Sequence, residues 1–69
     1  MERKIKVGIL ECTITDEGNV TTVRLIDPVN HIVATGTGGN VHEAQQNALE
    51  TTTSDEAKLW LQRIVLPEV

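Results

Sequence analysis

The stretch from Gly36 to Glu50 constrains the fold most, because it predicts a glycine-rich connection that leads directly into a capped helix. Asn40 is a residue type that favours the N-cap position, and Glu43 lies three residues later, where the carboxylate of a capping box is expected. Apolar residues then recur at helical spacing as a narrow stripe: Val41, Ala44 and Ala48. The chain before Gly36 alternates with a period of two and predicts strands, so the expected fold class is α+β.

Three strands are predicted before the helix. The first, from Lys4 to Thr15, changes parity at its centre, and we interpret this change as a bulge near Leu10 and Glu11 within one long strand. A turn at 16–19 leads to a second strand at 20–26, and a turn at 27–30 leads to a third strand at 31–35, which Gly36 ends. In that third strand, Ile32 and Ala34 are expected to share a face. The sequence therefore predicts a three-stranded antiparallel meander followed by a C-terminal helix.

The C-terminal helical region contains two apolar stripes that do not align. On one straight helix over 41–64, at about 100° per residue, the first stripe would lie nearly opposite the second, which contains Trp60. The run at 51–54 is the expected place for a kink or a split, because β-branched and hydroxyl residues are unfavourable inside helices. Thr53 and Glu56 there form a second capping box. A continuous helix also stays open, since two residues would bridge the stripes: Leu49 and Leu59.

The length of 69 residues predicts a single domain spanning 1–69. A domain of this size buries only about 60% of the surface that its unfolded chain exposes. Trp60 is the one aromatic residue, so the core must come almost entirely from Ile, Leu and Val. We therefore expect a partner subunit, in the form of a homodimer, to add stability.

The net charge of −4 argues against a general nucleic-acid binder, whose affinity depends on Lys and Arg that neutralise phosphates. No Lys or Arg lies between Arg24 and Lys58. The chain is expected instead to present an acidic surface to a basic protein partner. The residues predicted to contact that partner are Glu43, Glu50, Asp55, Glu56 and, as an interface anchor if it is exposed, Trp60.

An alternative nucleic-acid site would combine the basic N-terminus with the glycine loop. Its residues are Arg3, Lys4, Lys6, Gly38, Gly39 and Asn40. Free backbone N–H groups and the helix dipole favour an anion at such a loop. The loop lacks the Lys and Ser or Thr that end a Walker-type phosphate loop, and its glycine spacing is not that of a dinucleotide fingerprint.

Reactive chemistry finds little support in the sequence. Cys12 is the single cysteine, which excludes an intramolecular disulfide and a cysteine-based zinc site within one chain. Neither His31 nor His42 has another ligand at zinc spacing, and Ser54 belongs to a helix start. No run approaches the roughly 18 apolar residues of a membrane span. We expect no enzymatic activity, no cofactor, no metal and no membrane contact, and a cytoplasmic location.

The segment from Gly36 to Leu49 resembles the double-stranded RNA-binding domain, a β-β-β-α fold. The resemblance rests on glycines at Gly36 and Gly38, a helix start at Asn40, and alanines at Ala44 and Ala48. That family carries a pair of lysines at the helix start to grip phosphates, where this chain has Val41 and His42, and its first helix is missing here. The resemblance therefore implies the fold more than the activity.

Residues 18–62 are similar to the HicB-type antitoxins, which look like a partial version of the same fold. The shared features, in order, are Asp27-Pro28, Gly38-Gly39-Asn40, the run 41–48 and Leu59-Trp60-Leu61. Residues 1–69 do not include the DNA-binding segment that such antitoxins often carry after this domain, and 51–54 is an insertion. The resemblance implies a small acidic dimer that blocks a basic protein partner.

Three hypotheses on function follow. The leading one is a non-enzymatic interaction module, antitoxin-like or inhibitor-like, that binds a protein partner. The second is a divergent nucleic-acid-binding module that uses the basic N-terminus. The third is a structural domain whose function is self-assembly.

Overall fold

A computed structural model of the chain describes residues 1–66. It shows an antiparallel sheet with the strand order β1-β2-β3-β4, followed by two helices. The elements are β1 Glu2–Val7, β2 Leu10–Asp16, β3 Thr21–Ile26, β4 Ile32–Gly38, α1 Val41–Thr51 and α2 Asp55–Arg63. The α+β class is as expected, but the predicted β-β-β-α order, a three-stranded meander with one C-terminal helix, is wrong.

The fourth strand arises because the segment taken as one bulged strand is a hairpin. Val7 pairs with Leu10 across a two-residue loop, which puts both side chains on the same face of the sheet and so reverses the parity. Gly8 has a φ of 64°, as the first loop position of a type II′ turn requires. Ile9, read as part of the strand, is the second loop residue and is 62% exposed.

The other two turns lie where the sequence predicts them. Asp16 accepts a hydrogen bond at Oδ1 from the Gly18 N–H at 3.1 Å, and Gly18 has a φ of 83°. Asp27 accepts at Oδ1 from the N–H groups of Val29 and His31, at 3.1 and 2.8 Å. Each aspartate therefore organises its turn through its own carboxylate.

β4 differs from the predicted third strand in two ways. It continues through Gly36 to Gly38, so Gly36 does not end it. The pairing of β3 with β4 also shifts register between Leu25 and Ile26. Because of this shift, Ala34 is buried while Ile32 is 58% exposed, and the expectation that they share a face is wrong.

Small residues let α1 lie directly on the sheet. A Cβ atom added at Gly36 would overlap the backbone of Ala44 and Ala48, which belong to the buried stripe of α1. The face of the sheet below the helices carries the largest fully buried side chains: Ile14, Leu25, Val23 and Cys12. Neither α1 nor α2 lies on the opposite face of the sheet.

The helical region is split in two. The Asn40 side chain caps α1 by accepting from the Glu43 N–H at 2.8 Å, as predicted. α1 ends at Thr51, and α2 begins after Ser54, whose Oγ accepts from the Ala57 N–H at 3.2 Å. The split near 51–54 is therefore present, but its cap is Ser54 and not the predicted Thr53. Neither of these helices is long and apolar enough to cross a membrane.

Candidate interaction surfaces

The predicted partner-binding carboxylates all lie on the helices and are exposed. Glu43 and Glu50 are seven residues apart on α1, about two turns, and so share one side of that helix. Asp55 and Glu56 form the first turn of α2, beyond the bend. We call these four residues the acidic helix surface. Glu43 also has a structural role, because its Oε1 accepts from the Gly39 N–H at 2.9 Å.

The acidic helix surface is not neutralised by the chain itself. Among residues 1–66, the one contact within 4 Å between a basic side-chain nitrogen and a carboxylate oxygen joins His31 Nδ1 to Asp27 Oδ2 at 3.9 Å. No carboxylate of the acidic helix surface therefore pairs with a Lys or Arg in the described part of the chain. Asp55 and Glu56 instead lie in the first turn of α2, where the helix dipole favours negative charge.

Trp60 follows Glu56 by about one turn of α2 and also contacts the sheet. It is half-buried, and its indole covers the β1–β2 loop so closely that a Cβ atom on Gly8 would lie 2.7 Å from Cζ2. It lines a groove of about 350 Å³ beside the edge strand β1, together with Ile5, Val7 and Ile64. We call this the β1 groove. Trp60 therefore lines the β1 groove while lying about one helical turn from Glu56.

The glycine loop of the alternative nucleic-acid site is already filled by a carboxylate. The Gly39 N–H donates to Glu43, and a Cβ atom on Gly38 would lie 2.8 Å from the Glu43 side chain. Asn40 uses its side-chain oxygen as the helix cap. A phosphate at this loop would have to displace Glu43, so the loop geometry gives no separate support for an anion site.

The basic residues of the N-terminus divide between the two faces of the sheet. Lys4 lies in one row across the four strands with Thr13, Arg24 and Thr35, on the face away from the helices. Lys6 has the same parity as Lys4, whereas Arg3 points to the helix side. We call the helix-free side the open face. It also carries Thr15, Thr22 and Thr37.

Sequence reasoning missed Arg24 as a member of the basic group. Its outward direction was available, since it lies between two buried residues of β3, Val23 and Leu25. The sequence pattern did not show which strands pair with one another. Only the pairing of β1 with β2, and of β2 with β3, brings Lys4 and Arg24 into one row.

The two edges of the sheet are treated differently. At the β4 edge, α1 and the residue after it donate to three alternate carbonyl groups: Asn47 to Thr37 at 2.6 Å, Thr51 to Thr35 at 3.2 Å, and Thr52 to Val33 at 2.7 Å. At the β1 edge, no described side chain bonds the outward backbone groups of Lys4. Within residues 1–66, one edge is therefore covered and the other is open.

The titratable core residue is Cys12. Burial raises the pKa of its thiol to about 11, so it is protonated at neutral pH and is a poor nucleophile. Within residues 1–66, no group of three or more His, Cys, Asp and Glu is placed to hold a metal ion. Ser54 is engaged as a helix cap.

Comparison with known proteins returned no relative: no family model matches the chain, and no match was found among curated proteins or among solved structures.

Proposed function

We propose that this chain is a non-enzymatic interaction module that binds a basic protein partner through the acidic helix surface, in the manner of an antitoxin or inhibitor. The observation that carries the proposal is the set of four exposed carboxylates without a Lys or Arg counter-ion among the described residues. A cytoplasmic location is part of the same proposal.

The physical support is electrostatic. When these carboxylates pair with a partner, no ion pair to a Lys or Arg of the described residues has to be broken. Exposed charges of one sign also steer an oppositely charged partner and reject like-charged ones. The distribution of Lys and Arg strengthens this, since α1 contains none.

The test is capture of partners from a nuclease-treated lysate of the source organism, with quantitative mass spectrometry. The test variant is Glu50→Gln with Glu56→Gln, two exposed carboxylates on either side of the bend. Loss of two charge contacts should reduce partner recovery about tenfold. The control is Glu11→Gln with Glu17→Gln, which changes the net charge equally but lies outside the acidic helix surface.

The outcomes separate clearly. A protein retained by the wild type and by the control, and lost by the test variant, supports the proposal. Equal loss in both variants would show that net charge alone matters, and equal retention would place the binding surface elsewhere. Either result overturns the role assigned to the acidic helix surface.

The second candidate, a nucleic-acid-binding module, is favoured by one observation. Lys4, Lys6 and Arg24 are three of the six Lys and Arg residues, and all three have the parity of the open face. Threonine hydroxyl groups around them could donate to phosphates. Arg24→Gln should weaken binding to a mixed-sequence oligonucleotide. It should also reduce the slope of log K against log salt concentration by about one phosphate contact, whereas Lys58→Gln should change neither. The absence of any binding by the wild type would exclude this candidate.

A further inference from the structure

The backbone direction at the open edge follows from the β1–β2 hairpin. In a two-residue hairpin the closing pair, here Val7 and Leu10, exchanges both hydrogen bonds. The alternation then directs the backbone groups of Ile5 and Arg3 toward β2 as well. The N–H and C=O groups of Glu2, Lys4 and Lys6 therefore point away from β2, outward from the β1 edge of the sheet.

The same alternation can be checked at the other edge. Carried across β2 and β3, it predicts that Thr35 and Thr37 have outward backbone groups on β4. These are residues whose carbonyl oxygens accept from α1 side chains. The alternation therefore correctly places the β4 carbonyl groups that α1 side chains bond. The same alternation gives the outward backbone groups of β1.

We infer that two copies of the chain join along β1, as an antiparallel pair centred on Lys4, and form one continuous sheet from the two four-stranded sheets. In this register Glu2 lies opposite Lys6 of the second copy, Lys4 opposite Lys4, and Lys6 opposite Glu2. Each hydrogen-bonded pair exchanges two bonds, so about six backbone hydrogen bonds would form. The contact is isologous, as expected for a twofold dimer.

Charge and the length of the paired segment together select this register among the symmetric ones. Centred on Lys4, the pairing sets two Glu–Lys pairs against one Lys–Lys pair on the open face. Centred on Ile5, it would place Lys4 opposite Lys6 twice with no compensating carboxylate. Centred on Arg3, it would keep two Glu–Lys pairs, Glu2 with Lys4, but it would oppose the two Arg3 side chains and shorten the paired segment. Opposite charges directly across a pair stabilise, and like charges destabilise.

On the helix side of β1, a second copy would cover the apolar surface of Ile5 in the β1 groove. In the register centred on Lys4, Arg3 of one copy lies opposite Ile5 of the other, and Ile5 lines the β1 groove with Trp60. Ile5 is half-buried in the single chain. The aliphatic part of Arg3 can extend over this apolar surface while its guanidinium stays in water.

The same residues make β1 a poor template for an arbitrary strand. Lysines on an edge strand and a charged residue on its helix side are devices by which sheets avoid indiscriminate pairing. Self-pairing differs because the chain supplies its own Glu2 opposite Lys6. The occupant of this edge is therefore a second copy, and not an unrelated strand.

The first test measures mass in solution by sedimentation across a wide range of protein concentration. The wild type should dimerise, and Lys4→Pro should be monomeric, because proline removes the outward N–H without breaking a β1–β2 bond. The matched control Lys4→Thr removes the same charge, keeps the N–H, relieves the Lys–Lys contact and should dimerise more tightly. A monomeric wild type, or a Lys4→Pro variant that still dimerises, would overturn the inference.

A charge exchange tests the register without proline. Glu2→Lys alone and Lys6→Glu alone should each weaken the dimer by about tenfold or more, and the two together should restore it. A double variant no tighter than the single ones would exclude this register. None of these substitutions touches the acidic helix surface, so the dimer can fail while the proposed function stands, and the reverse.

Discussion

At the scale of single residues, Gly36 decides whether α1 can lie on the sheet. A Cβ atom there would lie 2.8 Å from the Ala48 Cα and closer still to backbone atoms of α1, which cannot rotate away as a side chain can. Gly36→Ala should lower the free energy of unfolding by about 3 kcal/mol, the upper range for overpacking. Urea unfolding measures this loss.

The control for this substitution is Gly39→Ala in the same connection. A Cβ atom on Gly39 would meet only the Glu43 Oε1, at 3.8 Å, and Gly39 does not have a positive φ. Its unfolding free energy should stay within about 0.5 kcal/mol of the wild type. If both variants lost the same stability, backbone flexibility and not close packing would be the reason for the glycines.

Cys12 gives a second prediction at this scale. Burial raises its pKa from 9.0 to about 11, so the folded state holds the thiol proton more tightly than the unfolded state does. This contribution to stability is complete below pH 9 and is lost as the pH rises toward 11. Unfolding free energy should therefore fall over that window more steeply in the wild type than in Cys12→Ala. Equal slopes would contradict the prediction, as would rapid reaction of the native thiol with a disulfide reagent at pH 8.

At the scale of elements, the start of α2 shows how one cap divides the helical region. Ser54 accepts from the Ala57 N–H, whereas no hydrogen bond to the Thr53 side chain is present among the described residues. Ser54→Ala should cost about 1 kcal/mol of stability, and Thr53→Ala only a few tenths. Thermal unfolding of the two variants compares them directly. The reverse order would restore the capping box predicted from the sequence.

The missed hairpin shows where period-two reasoning stops. Inward-facing residues of a regular strand are separated by an even number of positions. A bulge and a two-residue loop both make this separation odd, so a change of parity does not distinguish between them. Gly8 suits the first position of a type II′ turn, but Ile9 is an apolar residue that turns rarely carry, so the run resembles an uninterrupted strand. The turns at Asp16 and Asp27 were predictable because their carboxylates bond the backbone locally.

The candidate surfaces were predictable to a different degree. Exposure of the acidic residues follows from helical periodicity, which is local. The position of Trp60 against Gly8, and the row that joins Lys4 to Arg24, depend on contacts between segments far apart in sequence. Gly36 was predicted to end a strand for the same reason. A side chain there would overlap the backbone of α1, and the strand pattern alone does not show that α1 packs on this residue.

At the scale of the whole molecule, charge should oppose folding. The chain has 10 acidic and 6 basic residues, and no Lys or Arg of the described residues pairs with a carboxylate within 4 Å. Net repulsion therefore outweighs local attraction, and screening by salt should stabilise the fold. Between low salt and about 0.5 M NaCl, the unfolding free energy should rise by about 0.5 kcal/mol. The measurement needs a protein concentration at which the chain is monomeric.

A matched variant tests the cause of that rise. Glu17→Gln with Glu50→Gln lowers the net negative charge by two at exposed sites that make no hydrogen bond through their side chains in the described structure. The salt effect should be about half as large in this variant, because fewer like charges remain to be screened. Chloride is the appropriate salt, since sulfate strengthens apolar burial in any protein. A fall in stability with NaCl would show that attractive pairs dominate.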